Sequence, residues 1–428
     1  MVFHKTLINI RKKHGYTYEE FAAVLGCTTE HIIALESNRE TASFSFVTNL
    51  KNKLNLHSAP ITQDERNSLM DGLQNWKRAI DYADMSKAKE QKPELEKGAR
   101  ASYSPSVTNF YDLHAADYYR AVGDMKAYEE TMAALSKRTD QFSARHQYYY
   151  HCLLGAKAFV EKRYQDAIKA YKKAEELDKY KELRDVRFYY GMGISLSDRG
   201  YATRAIAYLE KADYLSKWSK AYGGRPNRRF SVYIDGYMAS DLAKLGKIDE
   251  ALEILDRRLV SETKRDSKEG IGYTYFSFGR VYYRTENYDK AIENFDSALK
   301  NLDKGTEAYM SCLSYKTASL IASSELAGAK KCAEKGLRVT TDEYWKTLFD
   351  ALKHSASLQD DPKSYIYLKE TLIPKLQEYG KNEAVVHYYQ QLSKFYFEFG
   401  SSEVAFKYSN LALEIHKKLH KELVEGDV

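Results

Sequence analysis

Five alanines constrain most of this chain: Ala167, Ala205, Ala251, Ala291 and Ala329 recur at intervals of 38, 46, 40 and 38 residues. Each sits in a similar setting of small and aromatic residues. Gly155 precedes Tyr164, Ala167, Tyr171 and Ala174; Gly193 and Gly200 precede Ala205, Leu209 and Ala212; Ala239 and Gly246 precede Ala251 and Leu255. The fullest copy is Gly279, Tyr282, Tyr288, Ala291, Phe295 and Ala298. Small residues let the two helices of a hairpin approach closely, and aromatic residues fill the gap to the next hairpin. Such a hairpin cannot bury its apolar face alone, so neighbours must stack. Six prolines in 428 residues agree with long uninterrupted helices.

Weaker copies run through Ala116, Tyr119, Gly123 and Met132, through Leu320, Leu326, Ala329 and Gly336, and through Tyr396, Gly400, Ala405 and Ala412. With atypical ends allowed, about seven to nine hairpins are expected. The spacing resembles the tetratricopeptide (TPR) unit, and periods above its usual value of about 34 imply longer helices or loops. Residues 342–382 fit the template poorly, and Pro362 and Pro374 are expected to flank one helix there. The resemblance implies an all-α, right-handed superhelix whose first helices line a concave channel. Threading the copies onto it turns Arg187, Tyr190, Tyr233, Tyr237, Ser240, Tyr273, Ser277, Arg280, Tyr283, Arg284, Ser314, Tyr315, Gln390, Gln391 and Lys394 inward. Such a surface suits an extended oligopeptide: tyrosines hold apolar side chains, polar groups meet main chain, and Arg or Lys meets a carboxylate. The same rings also serve to pack one repeat on the next. The 46-residue interval is explained by a loop, Tyr222 to Phe230, with Arg225, Arg228 and Arg229. It is either a solvated charge run or a grip for an acidic group.

The first 57 residues follow a different rule. Thr17 stands before an apolar-periodic run with Glu20 three residues on, the pattern of a capping box. Phe21, Ala22, Val24 and Leu25 share a face, and Gly26 ends that helix in the left-handed conformation. Thr28 caps a second helix with Ile32 and Leu35 inward, while Leu7, Ile10, Phe44, Phe46, Val47, Leu50 and Leu54 close a small core. This order resembles the Cro/repressor-like (XRE-type) helix-turn-helix domain. The resemblance implies that the Thr28–Glu36 helix enters the major groove, presenting Thr29, Glu30, His31, Ile33 and Ala34. Thr17 and Tyr18 would meet phosphate through free backbone N–H groups, Thr28 would cap the reading helix, and Arg11, Lys12, Lys13, Arg39, Lys51 and Lys53 would supply phosphate charge. Tyr18 departs from the Gln usual in the family, and no groove-facing position is basic. Residues 1–57 hold seven Lys/Arg against five Glu, a net charge of +2. One such head binds weakly, which implies a dimer on two half-sites.

Three segments are thus expected: a DNA-binding head over 1–57, a connector over 58–106 and repeats over 107–428. In the connector, 61–86 should form a helix or two with Leu69, Leu73, Trp76, Ile80 and Tyr82 on the apolar face. Residues 86–106, with Pro93 and Pro105, read as linker or exposed loop. The whole chain carries a net charge of +6, with 37 tyrosines against 17 phenylalanines and three tryptophans. That tyrosine excess hints at a large amphipathic internal surface. Cys27, Cys152, Cys312 and Cys332 show no paired spacing, which fits a reducing cytoplasm and argues against zinc or a disulfide framework. No apolar run is long enough for a membrane span, and the first residues lead into an amphipathic helix. There is no phosphate-binding Gly-Lys loop, nucleophile elbow or metal-ligand cluster, and His146, His151 and His387 stand singly among tyrosines. Enzyme activity, cofactor and metal are therefore not expected.

A repressor-like head joined to a long TPR array resembles the RRNPP group of Gram-positive peptide-sensing regulators, in layout nearest the NprR and PlcR types. The resemblance implies a cytoplasmic homodimer or higher oligomer that binds operator DNA and a short signalling peptide, the peptide repositioning the heads. The asparagines typical of that group have only Asn287, Asn294 and Asn301 as candidates by type, and threading puts these outside the channel-facing helices. Two other functions stay open: a Rap-like protein that regulates a response regulator by binding it, and an assembly scaffold.

Overall fold

The structure is a computed structural model and describes residues 3–56, 62–81, 84–178, 185–218, 228–357, 363–378 and 382–425. Pro60, Tyr82, Pro362 and residues 222–227 of the arginine loop lie outside the described residues, as do the side chains of Arg228 and Arg229. Among the described residues there are helices and turns but no strand. The fold class is therefore all-α, as the repeats require.

The helices run α1 (Phe3–Lys13), α2 (Tyr18–Leu25), α3 (Thr29–Glu36), α4 (Phe44–Lys53), α5 (Gln63–Asp81), α6 (Met85–Ala101), α7 (Pro105–Val122) and α8 (Met125–Ser136). They continue with α9 (Ala144–Val160), α10 (Tyr164–Leu177), α11 (Val186–Asp198), α12 (Ala202–Trp218), α13 (Arg228–Lys244), α14 (Ile248–Thr263), α15 (Lys268–Arg284) and α16 (Tyr288–Asn301). The last are α17 (Glu307–Ala322), α18 (Leu326–Val339), α19 (Glu343–Ser355), α20 (Lys363–Tyr367), α21 (Ile373–Glu378), α22 (Asn382–Glu398) and α23 (Ser402–Glu425). The chain divides into two compact units, one of residues 1–154, 170–184 and 220–227, the other of 155–169, 185–219 and 228–428.

In the first unit, α1 to α4 enclose Leu7, Ile10, Phe21, Leu25, Ile32, Leu35 and Leu50, all buried. Local chemistry sets their boundaries. Thr17 N–H donates to Glu20 Oε2 at 2.8 Å and Glu20 N–H to Thr17 Oγ1 at 3.2 Å, so the capping box forms. Gly26 has φ 68°, which only glycine adopts without a Cβ penalty. Residues 86–101, expected as linker, are helix α6 instead, with Ala88, Leu95 and Ala99 buried. Its Lys, Ala and Glu residues are strong helix formers, and apolar residues at seven- and four-residue intervals give it a face to pack on α5 and α7. Pro93 is tolerated inside it. Trp76 stacks on Tyr111 with ring centroids 5.4 Å apart and donates through Nε1 to the Ala88 carbonyl at 2.9 Å.

In the second unit the key alanines Ala205, Ala251, Ala291 and Ala329 are all fully buried. Gly193 and Gly279 show why the register demands small residues. A Cβ on Gly279 would lie 2.3 Å from the Phe295 ring, and one on Gly193 2.8 Å from Leu209. The first helices α11, α13, α15, α17 and α19 pack side by side in order, each backed by the helix that follows it in its hairpin. Pro374 does not flank a helix: α20, a π-helical turn over Leu368–Leu372 and α21 run on through it. The wider π turn shifts the bonding register just where Pro374 lacks an N–H.

Candidate functional site

Two surfaces hold the expected site residues, and each is described within its own unit. On the head, α3 leaves Glu30 and Ile33 exposed and Thr29, His31 and Ala34 half-buried. Thr28 is spent as a cap, its Oγ1 accepting the His31 N–H at 3.2 Å. Thr17 is spent likewise on α2. The His31 ring is 2.8 Å from Glu40 and edge-on to Phe46, so it belongs to the α3–α4 junction as much as to the outer face.

The expected phosphate charges separate into two groups. Lys12, Lys13, Arg39 and Lys53 are exposed. Lys13 lies over the Tyr103 ring, 4.6 Å from its centroid, while Lys51 pairs with Glu65 at the start of α5. Arg11 is different, because it is buried. Its Nε and Nη2 donate to both oxygens of Glu36 at 2.7 and 2.9 Å, and Nη1 donates to the Tyr16 carbonyl at 3.2 Å. Its guanidinium also lies 3.9 Å from the centre of the Tyr18 ring. The bond to Glu36 outweighs burial and holds the guanidinium above its ordinary pKa. Arg11 is thus an internal brace between α1 and α3, not the surface charge expected of it. Tyr18 is the ring it rests on.

In the second unit, α13, α15 and α17 bring Tyr233, Tyr237, Tyr273, Arg280, Tyr283 and Tyr315 together. Tyr233 meets Tyr273 edge-on at 4.4 Å between centroids, and Tyr283 meets Tyr315 at 5.6 Å. The Arg280 guanidinium lies 5.4, 5.7 and 5.8 Å from the centres of Tyr237, Phe276 and Tyr315. Burial raises the Tyr237 and Tyr273 phenols above their usual range, so both stay neutral donors at physiological pH. Tyr237 donates to Asp198 Oδ2 at 3.3 Å and Tyr233 to Glu269 Oε1 at 3.1 Å. These two carboxylates were not foreseen. They are 39 and 36 residues from their phenols, and no local pattern signals such pairs.

Other expected members are placed differently. Ser277 is buried, its Oγ donates to the Tyr273 carbonyl, and it would lie 2.5 Å from a Cβ on Gly236; it belongs to the close contact of α13 and α15. Ser240 is fully buried, and Ser314 is buried with its Oγ on the Ser311 carbonyl. Arg187 and Tyr190 are half-buried on α11, Tyr190 edge-on to Phe230, and Arg284 is exposed at the end of α15. Gln390, Gln391 and Lys394 form a separate group on α22, with Gln391 Nε2 2.9 Å from His387 and Lys394 Nζ 3.9 Å from Glu398. Asn287 caps α16, while Asn294 and Asn301 bond to their own helix backbone. A cavity of about 240 Å³ opens beside the tyrosines, lined by Val232, Tyr233, Glu262, Arg265, Ser267, Glu269, Gly270 and Tyr273. Among the described residues no group of His, Cys, Asp and Glu is placed to hold a metal, and no helix is long and apolar enough to cross a membrane.

Comparison with known proteins now bears on these surfaces. Residues 273–301, the α15–α16 hairpin, match the tetratricopeptide repeat family. The chain is 19% identical over 410 residues to the transcriptional activator NprA of Geobacillus stearothermophilus, covering 92% of this chain and 98% of that protein. A Rap protein complexed with competence and sporulation factor superposes with a TM-score of 0.71 at 16% identity, covering 83% of this chain and 99% of that one. The quorum sensor NprR in complex with its cognate peptide NprX gives 0.65 at 19%, covering 82% and 98%. The apo form of NprR from B. thuringiensis gives 0.64 at 17%, covering 82% and 99%. At these identities the solved structures speak to the fold.

Proposed function

We propose that this chain, a member of the RRNPP group of peptide-sensing regulators, is a transcriptional regulator with a DNA-binding head and a peptide-binding TPR face. Peptide binding alters its DNA affinity or its oligomeric state. The observation that carries the reading is similarity to a transcriptional activator over 92% of this chain and 98% of that protein. Peptides bound to similar folds, as in the NprR–NprX complex, support the second half.

On this reading α3 lies in the major groove and Glu30 and Ile33 face base edges. A carboxylate accepts from cytosine N4, and an aliphatic side chain contacts the thymine methyl. Lys12, Lys13 and Arg39 neutralise phosphates, while Arg11 holds α1 against α3 so that both present together. Few phosphate contacts per head make a homodimer on two half-sites the working form. The TPR face takes an extended peptide among Tyr237, Tyr273, Arg280, Tyr283 and Tyr315. The effector shifts DNA binding only as far as it prefers one arrangement of the chain over another.

Selection of duplex sequences from a random pool by the full-length protein, then shift assays with and without peptide, tests both halves. A selected operator whose affinity changes at saturating peptide is expected. An operator bound identically at all peptide concentrations removes the switching half. Failure to select any sequence removes the head's role and leaves the Rap-like function of binding a response regulator.

A further inference from the structure

Two enclosed cations of the second unit are matched by carboxylates, and Arg280 differs from both. Arg258, on α14, bonds Asp235 at 2.6 Å and Glu262 at 3.4 Å; Lys244, on α13, bonds the fully buried Asp241 at 2.7 Å. Arg280 is just as enclosed, at 7% exposure, yet no carboxylate among the described residues closes an ion pair with it. Its Nε is buried with no acceptor. Asp198, the acid whose field reaches it, takes the Tyr237 hydroxyl instead.

Three rings compensate part of the cost of burying this charge, since each presents its negative face to a cation. Rings supply no hydrogen-bond acceptor, so Nε, buried among them, stays without one among the described residues. The geometry that answers it is a carboxylate, whose two oxygens match the planar donor fork of the guanidinium.

We infer that Arg280, walled by Tyr237, Phe276 and Tyr315, is a subsite for one carboxylate of the bound peptide, either its C-terminus or an Asp or Glu side chain. This rests on the peptide-binding reading above and adds to it the charge and place of the anchor. An aromatic box holding an unanswered cation selects an acidic group set among apolar ones, so a peptide lacking any negative charge at that position is rejected.

The test titrates the full-length chain against an array of short synthetic peptides with free C-termini. The best binder is remade as its C-terminal amide, and separately with each acidic side chain changed to its amide. One of these changes is expected to weaken binding by roughly tenfold or more, and which one identifies the source of the carboxylate. Arg280→Gln should bind the charged and neutralised peptides alike. Because the peptide is altered on the intact protein, the result stands even where Arg280→Gln folds poorly. Binding to the unaltered chain that survives every neutralisation overturns the subsite while leaving peptide binding in place. So does an Arg280→Gln protein that keeps the same sensitivity. If no peptide in the array binds, the peptide reading falls and the subsite with it.

Discussion

The head and the repeat face treat a buried arginine in opposite ways. In the head, Arg11 meets Glu36 through both arms of its fork and the Tyr16 carbonyl through a third donor. In the repeat face, Arg280 meets aromatic rings and, among the described residues, no ion-pair partner. The first arrangement is finished: every strong group has its partner within the domain. The second leaves a buried Nε without an acceptor among the described residues, which is what the proposed peptide subsite would answer. Breaking the two should therefore give different results. Glu36→Ala strands a buried guanidinium and is expected to destabilise the head by about 3 kcal/mol, read as faster amide exchange through α1–α4. Arg280→Met removes a charge that has no ion-pair partner and should leave thermal stability unchanged or slightly higher. A loss for Arg280→Met as large as that for Glu36→Ala would make Arg280 a structural residue and end the comparison.

Two glycines sharpen the same contrast at a smaller scale. Gly279 sits mid-helix against Phe295, so Gly279→Ala inserts an atom where none fits and should cost about 1–3 kcal/mol. Trimming the ring, Phe295→Leu, should recover part of that loss in the double variant. Gly26 has open space around a built Cβ but a φ of 68°. Gly26→Ala should cost about 1 kcal/mol for backbone reasons alone, and Gly26→Asn should cost less, because Asn tolerates that conformation. Denaturant unfolding of the four variants separates a packing demand from a backbone demand. Equal behaviour of Ala and Asn at position 26 would contradict the cap.

These glycines also mark what the chain makes legible. Caps, turns and the alanine register are local, depending on residues within one or two helical turns, and they were read directly from Thr17, Glu20, Gly26, Thr28 and the five alanines. Partners brought in by tertiary packing were not. Arg11 reads as a surface charge in the sequence because its partner Glu36 lies 25 residues away on another helix. The α6 segment reads as linker because Pro93 and a charge-rich composition mask its buried Ala88, Leu95 and Ala99. On the repeat face, threading onto the resembled TPR geometry puts the tyrosines and Arg280 in one set, and the structure brings Tyr237, Arg280 and Tyr315 close together. Ser240, Ser277 and Ser314 fall into the same set in the sequence, although the structure buries them, because a repeat register does not say how deep a small residue lies.

If the head is the output, its exposed charges act on DNA and not on stability. Lys12→Ala and Arg39→Ala should each reduce the steepness of the salt dependence of operator binding by about one counterion, and weaken all sequences alike. Thermal stability should stay within about 0.5 kcal/mol. Arg11→Ala should behave otherwise, costing stability first and DNA affinity only through it. A salt slope unchanged in both surface variants would take this face of the head away from the phosphate backbone.

The smallest effect tests whether the unit that contains the head answers to acid by itself. His146 is buried against Phe110 and Phe142, with Ser143 N–H donating to its Nδ1 at 3.3 Å. Burial, and then the charge of Arg145, hold its pKa below the ordinary histidine value. The unfolded chain therefore takes up a proton on this ring before the folded chain does. The contribution of a neutral His146 is present above the unfolded value, about 6.5, and is lost as the pH falls below it. Burial lowers His151 in the same unit in the same direction, so a single replacement removes part of the slope and not all of it. Trp76 reports on this unit and Trp345 on the other, which allows single-tryptophan variants to follow the two separately. His146→Gln should flatten the acid dependence seen by Trp76 and leave that seen by Trp345 unmoved. A slope at Trp76 that is unchanged would mean that His146 takes up its proton equally in the folded and unfolded chain, and that burial does not hold it neutral.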